Sequence, residues 1–371
     1  MLEKNQTLKI ISLNITIIFI GLIFIFLIVN HKINSKNILT NPIVIKENTN
    51  QNSDLFGFQN GLISLINNSQ KSIVSIGANK NIKFYMEDPS ALNGPGSIKQ
   101  DAKIGGGSGI IISKKGYILT NKHVIQDINA KYAVTTNDGK TYNVDKIWFD
   151  DNLDVAILKI VDDEGNELNN LLEAKIIGIN DKVKIGQLVI AIGNPRSEYA
   201  NNVTMGIIGG KNKQLKIKKD NLYIGLYQTD AKINPGNSGG PLIDISGQII
   251  GINTAINEQG MAFALPISKE FITTTLNSIQ KYGKIIRPLI GIQYADTKQG
   301  IVVNDVLDNL PANKAGIEIN DNIVAINEKE INNDLPFLYQ LYTYNPGENI
   351  MVTMLRNGTY TKIPITLGET Q

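Results

Sequence analysis

Three polar side chains in this sequence have the types and order needed for acyl transfer. Ser238 lies in "NPGNSGGPL", residues 234–242, a serine placed among glycines and between two prolines. A serine hydroxyl is a poor nucleophile until a base takes its proton, and the usual base is a histidine oriented by a buried carboxylate. The sequence has two histidines. His31 abuts a long apolar segment and reads as an interfacial residue, whereas His123 follows the strand-like run "GYILTN", where a scaffold can present it at a strand end. Asp154 stands immediately before the apolar run Val155 to Leu158, a place where a carboxylate can be buried and aimed. Each of the three alone has a plain structural reading as a turn residue, a satisfied histidine or a strand-end aspartate. Together they run in the order His, Asp, Ser, with intervals of 31 and 84 residues. That order on a strand-rich chain matches the chymotrypsin type and differs from that of subtilisins and α/β-hydrolases. The glycines beside Ser238 supply the turn that aims backbone N–H groups at a developing negative charge.

Such a constellation needs a rigid scaffold. From Gly105 to about Pro266, short apolar runs alternate with Gly, Asn and Asp turn signals, as in "GSGIIIS", "YAVTTNDGKTYNV", "DVAILKIV", "GQLVIAIGNP" and "GQIIGINTAI". Many short strands and few helical periods predict a β-barrel or sandwich architecture. A helix is expected over residues 267–283, with Phe271, Ile272, Leu276 and Ile279 near helical spacing and Gly283 as its stop. Residues 284–371 then make a unit of small-domain size.

At this point the motifs "TNKHVI", "LDVAILKI", "VIAIGNP", "QTDAKINPGNSGGPLID" and "IIGINTAI" resemble, in order, the HtrA (Deg) family of trypsin-like serine proteases, from about Ser69 onward. The resemblance implies a mainly β fold, a chymotrypsin-like double β-barrel over 55–283 followed by one PDZ domain over 284–371. It makes His123 the general base, Asp154 its orienting carboxylate and Ser238 the nucleophile. It builds the oxyanion hole from backbone N–H groups of Gly236 and Ser238, with Asn237 between them. It places Ile233 near the pocket wall and Gly251, Ile252, Asn253 and Thr254 on the strand that pairs with substrate backbone. Lys232 and Ile233 put no acidic group at the pocket base, so small or medium apolar residues are expected before the cut. In the C-terminal unit, Leu289, Ile290, Gly291 and Ile292 are implied as the loop and groove entrance that capture a C-terminal peptide by strand addition. The same chemistry calls for no cofactor and no metal.

The bulk composition excludes some alternatives. Cysteine is absent, so no disulfide framework and no thiolate metal site can form. A net charge of +2 argues neither for nor against nucleic acid, and "KNKQLKIKK", Lys211 to Lys219, lacks aromatic interleaving and reads as a solvated hairpin. "GGGSG", Gly105 to Gly109, lacks the Gly-Lys-Ser/Thr ending of a phosphate loop and reads as a barrel turn.

Ile10 to Asn30 carries no charged side chain, and about twenty residues at about 1.5 Å rise span a bilayer core. It is expected to be an uncleaved transmembrane anchor, because no small-residue cleavage site follows it. Lys4 and Lys9 precede it and Lys32 and Lys36 follow it, so charge alone does not orient the chain. Residues 31–54, polar, Asn-rich and interrupted by Pro42, read as a flexible tether. One anchor, one protease domain and one PDZ domain resemble the membrane-anchored, single-PDZ branch of the family. That likeness implies an inner-membrane, single-pass homotrimer with both domains in the periplasm and its trimer contact around Phe56 and Phe58. Its PDZ domain would take C-terminal peptides of misfolded outer-membrane proteins, and its protein substrate would be an anti-sigma factor. The alternatives are a broad periplasmic quality-control protease and a non-catalytic chaperone or scaffold.

Overall fold

The computed structural model describes residues 51–371 apart from 87–95, 126, 128–129, 195–201, 219–220, 235, 257–259 and 371. The expected anchor at 10–30, and the expected tether through residue 50, lie outside the described residues. The tether was expected to run to residue 54, yet helix α1 already begins at Gln51 and continues to Gln70. From Gly61 onward it packs Leu62, Leu65 and Ile66, at helical spacing, against the core. Leu55, Phe56, Phe58 and Ile63 are exposed. Among the described residues no helix is long and apolar enough to cross a membrane.

Strands β1 (Ile73–Met86), β2 (Gly96–Ser113), β3 (Tyr117–Thr120), β4 (Lys131–Thr135), β5 (Thr141–Phe149) and β6 (Ala156–Val161) close a barrel in the order β1-β2-β3-β6-β5-β4. A second barrel closes in the order β10-β11-β12-β9-β8-β7. Its strands are β7 (Leu188–Ile192), β8 (Val203–Lys218), β9 (Asn221–Thr229), β10 (Pro241–Asp244), β11 (Ile249–Ile256) and β12 (Ala262–Pro266).

The continuous apolar runs of the sequence have a physical reason here. Alternate residues point to opposite faces of a strand, and both faces are buried. Ile111, Ile118 and Leu158 fill the first barrel; their neighbours Ile110, Leu119 and Ile157 join a core shared with Ile190 and Ile192 of the second. The "GGGSG" segment is a correction to the sequence reading: it is strand, with Gly105 to Gly109 paired to Ala78 to Val74 of β1.

Helix α2 (Lys269–Tyr282) starts where Ser268 Oγ accepts from Phe271 N at 3.2 Å and stops at Gly283, φ 71°. The left-handed C-cap at Gly283 is the stop that the sequence foreshadowed, and the Ser268 N-cap is added by the structure. Beyond it stand β13 (Pro288–Leu289), β14 (Ile292–Thr297), β15 (Gly300–Val306), α3 (Pro311–Ala315), β16 (Asn322–Ile326), β17 (Lys329–Glu330), α4 (Phe337–Leu341), β18 (Asn349–Arg356), β19 (Thr359–Thr366) and β20 (Gly368–Glu369). The main sheet runs β14-β15-β16-β18-β19, so β14 is an edge.

This unit is fastened to the barrels by buried polar contacts. Arg287 Nε donates to Asp150 Oδ2 at 2.7 Å and Nη1 to Thr275 Oγ1 at 2.9 Å. Nη2 lies 2.7 Å from the same Asp150 oxygen, and Phe271 offers its ring face to the guanidinium 4.3 Å away. The Thr274 hydroxyl donates to the Tyr342 carbonyl at 2.9 Å, and burial pushes the Tyr342 phenol up to about 12. Lys211 was expected to be solvated; its side chain is 7% exposed, and it pairs with Asp334 while donating to Val183 O at 2.7 Å. Trp148 of β5 donates its indole N–H to Gly283 O at 2.9 Å and stacks on Tyr117.

Candidate active site

His123 lies in a 3-10 turn, Lys122–Ile125, that follows β3 directly. Asp154 ends the loop that feeds β6. The two meet twice. His123 N donates to Asp154 Oδ1 at 3.0 Å, and Nδ1 stands 2.7 Å from Oδ2. The Thr254 hydroxyl donates to the same Oδ2 at 2.6 Å. Asn121 locks the arrangement by donating to the Asp154 carbonyl at 2.9 Å and to Thr254 Oγ1 at 3.0 Å. The carboxylate is 4% exposed and the imidazole 32%. Burying a carboxylate is costly unless donors satisfy it, and here three do. A carboxylate facing Nδ1 holds the proton there and leaves Nε2 as the acceptor. Tyr223 of β9 has its phenol pushed up to about 12 by burial and, second, by the negative charge of Asp154.

Ser238 sits on the connection from β9 to β10. Gly236 (φ 100°) and Gly239 (φ 82°) occupy left-handed conformations that a side chain would strain. The turn is closed by Asn237 N to Asn234 O at 3.0 Å and Gly240 N to Asn237 O at 2.9 Å. Both barrels grip it: Ser108 N of β2 donates to Ser238 O at 2.9 Å, and Gly239 N donates to Asn253 O of β11 at 3.0 Å. A Cβ on Gly107 would come within 2.8 Å of a Val124 methyl and 3.0 Å of Ser238 O. The turn bearing His123 and the turn bearing Ser238 are thus separated there by one residue without a side chain. The N–H groups of Gly236 and Ser238 donate to no described residue, and the Ser238 hydroxyl has no hydrogen-bond partner among the described residues.

Two expectations change. Gly251 and Ile252 were expected on a strand that pairs with substrate, yet both edges of that strand are taken there: Gly251 pairs with Leu242 and Pro266, Ile252 with Pro241 and Leu265. Asn253 is likewise engaged, its N–H donating to Gly240 O and its amide to Pro241 O. The Thr254 hydroxyl serves Asp154. Ile233 was expected at a pocket wall; it is 2% exposed and belongs to the second barrel's apolar cluster with Tyr227, Leu242 and Ala264.

In the C-terminal unit, Leu289 pairs with Gly368, Ile290 is buried, and Gly291 (φ 86°) turns the chain into the edge strand at Ile292. The carbonyls of Ile290 and Gly291 accept from Ala312 N at 2.8 Å and Leu307 N at 3.0 Å. Behind β14, Tyr294 meets Phe337 of α4 edge to face, with ring centroids 5.1 Å apart. Three residues of the site were not picked out from sequence: Ser108, Asn121 and Thr254 in its role at Asp154. Only their neighbourhoods, "GGGSG", "TNKH" and "GINT", carried any signal.

Two closed six-stranded barrels, with histidine, aspartate and serine at their junction, define a trypsin-like peptidase fold, and the edge-stranded unit after it is a PDZ domain. Residues 107–252 match the trypsin-like peptidase domain and residues 288–367 match the PDZ domain. A relative from Haemophilus influenzae called serine endoprotease DegS is 34% identical over 278 residues, covering 71% of this chain and 77% of its own length. One from Chlamydia pneumoniae, a probable periplasmic serine endoprotease described as DegP-like, is 36% identical over 281 residues, 71% of this chain; the chain spans 55% of that relative's length. Among solved structures, the HtrA-type protease AlgW with a decapeptide superposes with a TM-score of 0.59 at 28% identity, over 84% of this chain and 99% of that one. The chain belongs to the HtrA/Deg family of serine endoproteases.

Proposed function

We propose that this chain is a serine endopeptidase in which Ser238 is the nucleophile, His123 the general base and Asp154 the carboxylate that orients it. The observation that carries this reading is the His123–Asp154 pair, made twice and backed by Thr254, opposite a serine on a glycine turn gripped by both barrels. His123 Nε2 takes the Ser238 proton as Oγ attacks the substrate carbonyl, then delivers it to the leaving amine. The carbonyl oxygen becomes negative and is met by the N–H groups of Gly236 and Ser238, with Asn237 holding the turn between them. β10 stops covering β11 after Ile252, so substrate backbone is assigned to the edge at Thr254–Ile256 in place of Gly251–Asn253. With no acidic side chain between Ala231 and Ser238, cleavage follows small or medium apolar residues.

The PDZ unit takes extended C-terminal peptides on the free edge of β14, entered through Leu289, Ile290, Gly291 and Ile292. A relative solved with a decapeptide supports peptide binding. Residues 10–30 anchor the chain in the inner membrane with both domains in the periplasm, a location supported by relatives called periplasmic. The exposed Leu55, Phe56 and Phe58 suit a homotrimer contact. Peptides of misfolded outer-membrane proteins then release the protease on an anti-sigma factor.

The test is labelling of the purified protein by a fluorophosphonate, with Ser238→Ala as control. Labelling that requires Ser238 and rises with peptides ending in a free apolar carboxyl terminus is expected. Labelling independent of Ser238 sinks the nucleophile assignment. Casein degradation without any peptide favours the broad quality-control reading, which the DegP-like relative also supports.

A further inference from the structure

The first barrel reaches the oxyanion turn through one residue. Ser108 of β2 is fully buried. Its Oγ accepts from Asn194 N at 2.7 Å and donates to Gly236 O at 2.6 Å, so the group is held in both directions. Its backbone is held as well, with its N–H on Ser238 O at 2.9 Å and its carbonyl on the Thr120 hydroxyl at 2.8 Å. The peptide joining Gly236 to Asn237 is planar, so fixing its oxygen fixes its N–H, which points to Asn234 O. Rotation at Gly236, a glycine at φ 100° with no side chain to resist it, is then what remains to set the N–H of Gly236 itself.

Asn237 does not share this task. Its side chain is fully buried with neither amide atom hydrogen-bonded to a described residue, packed against Gly193, where a Cβ would lie 2.2 Å from Oδ1. Among the described residues, the Ser108 hydroxyl makes the one side-chain hydrogen bond to residues 236–239.

We propose that Ser108 is a positioning residue for catalysis: by holding the Gly236 carbonyl it keeps the N–H groups of Gly236 and Ser238 convergent on the substrate oxygen. It touches no substrate atom and acts through Gly236. The glycine-rich "GGGSG" segment thereby gains a purpose, since its glycines let the backbone carrying Ser108 lie against both turns. This inference rests on Ser238 being the nucleophile.

The test uses the full chain, its Ser108→Ala and Ser108→Cys variants, an internally quenched peptide with an apolar residue before the cut, and a peptide aldehyde of the same sequence. The aldehyde's hemiacetal oxygen occupies the oxyanion position, so its affinity reads the hole directly. For Ser108→Ala, kcat is expected to fall about ten- to a hundredfold, short of the about 10²–10³-fold for deleting a donor outright. KM should stay within about twofold, while aldehyde affinity drops by the same factor as kcat. The thiol of Ser108→Cys donates weakly and should fall between, which keeps the test alive if the alanine variant does not fold.

Unchanged kcat and aldehyde affinity overturn the proposal. So does a loss of kcat with unchanged aldehyde affinity, which would mark a smaller active fraction and a purely structural role. A wild-type chain labelled by fluorophosphonate elsewhere than Ser238 instead overturns the site assignment on which the inference stands.

Discussion

Asp150 and Asp154 sit four residues apart in one loop, both buried, and are satisfied in opposite ways. Asp150 faces a permanent cation, Arg287, and takes the backbone N–H groups of Asn152 at 2.9 Å and Leu153 at 3.1 Å on its other oxygen. Asp154 faces an imidazole whose charge can come and go, with a hydroxyl and a backbone N–H completing its shell. A fixed ion pair suits a joint between domains, because nothing there changes charge. A carboxylate beside a histidine suits a cycle in which a proton arrives and leaves.

The comparison breaks most visibly at Asp154. Asp154→Asn should keep the fold, to be checked by thermal unfolding, while kcat falls about 10⁴-fold because the amide no longer enforces the tautomer with Nε2 free. A loss under tenfold would mean that Asp154 is no more catalytic than Asp150.

At Asp150 the expected damage is to stability. Arg287→Ala leaves a buried carboxylate without its cation, which costs about 3–5 kcal/mol, readable as a lower urea midpoint. The double variant Arg287→Met, Asp150→Leu should recover much of that loss, since a buried pair replaced by apolar groups is often neutral. Failure to recover would mean that the pair does more than fasten the domains.

Thr254→Ala sharpens the contrast. Removing a hydroxyl donor to a buried carboxylate is worth about 1.5–3 kcal/mol, so kcat should drop roughly tenfold or more, and Thr254→Ser should restore it.

The smallest effect belongs to a third carboxylate. Arg356 grips Asp321 through Nε and Nη2, each at 2.7 Å. Burial alone would raise the Asp321 carboxyl, but the Arg356 guanidinium and the Glu318 N–H outweigh it and hold the group below the usual range. Its stabilisation is therefore complete above about pH 4, the ordinary carboxylate value, and fades as pH falls below that toward the lowered native value. Arg356→Gln should flatten this part of the acid unfolding curve. A profile unchanged by the substitution would assign the acid sensitivity elsewhere.

What the sequence made legible was the chemistry written in local runs. His123 after a strand, Asp154 before one, Ser238 among glycines and the stop of α2 at Gly283 are all short-range signals. The supports were not legible, because each joins distant segments: 128 residues separate Ser108 from Gly236, 100 separate Asp154 from Thr254 and 137 separate Asp150 from Arg287. Local composition also misled where tertiary contacts overrode it. Lys211 reads as one lysine in a solvated run until Asp334 of the PDZ unit closes over it. The glycines at 105–107 and 109 look like a turn because a paired strand seldom needs so many; here they let two loops crowd its surface.

Trp148, the chain's single tryptophan, ends its indole N–H on the carbonyl of the residue that caps α2. Its emission is therefore a built-in optical label for the joint between the first barrel and the helix that leads into the PDZ domain. A peptide or substitution that loosens this joint should hydrate the indole and shift its spectrum to the red, while chemistry confined to Ser238 should leave the colour unchanged. The two kinds of event can be told apart in one cuvette without attaching a dye.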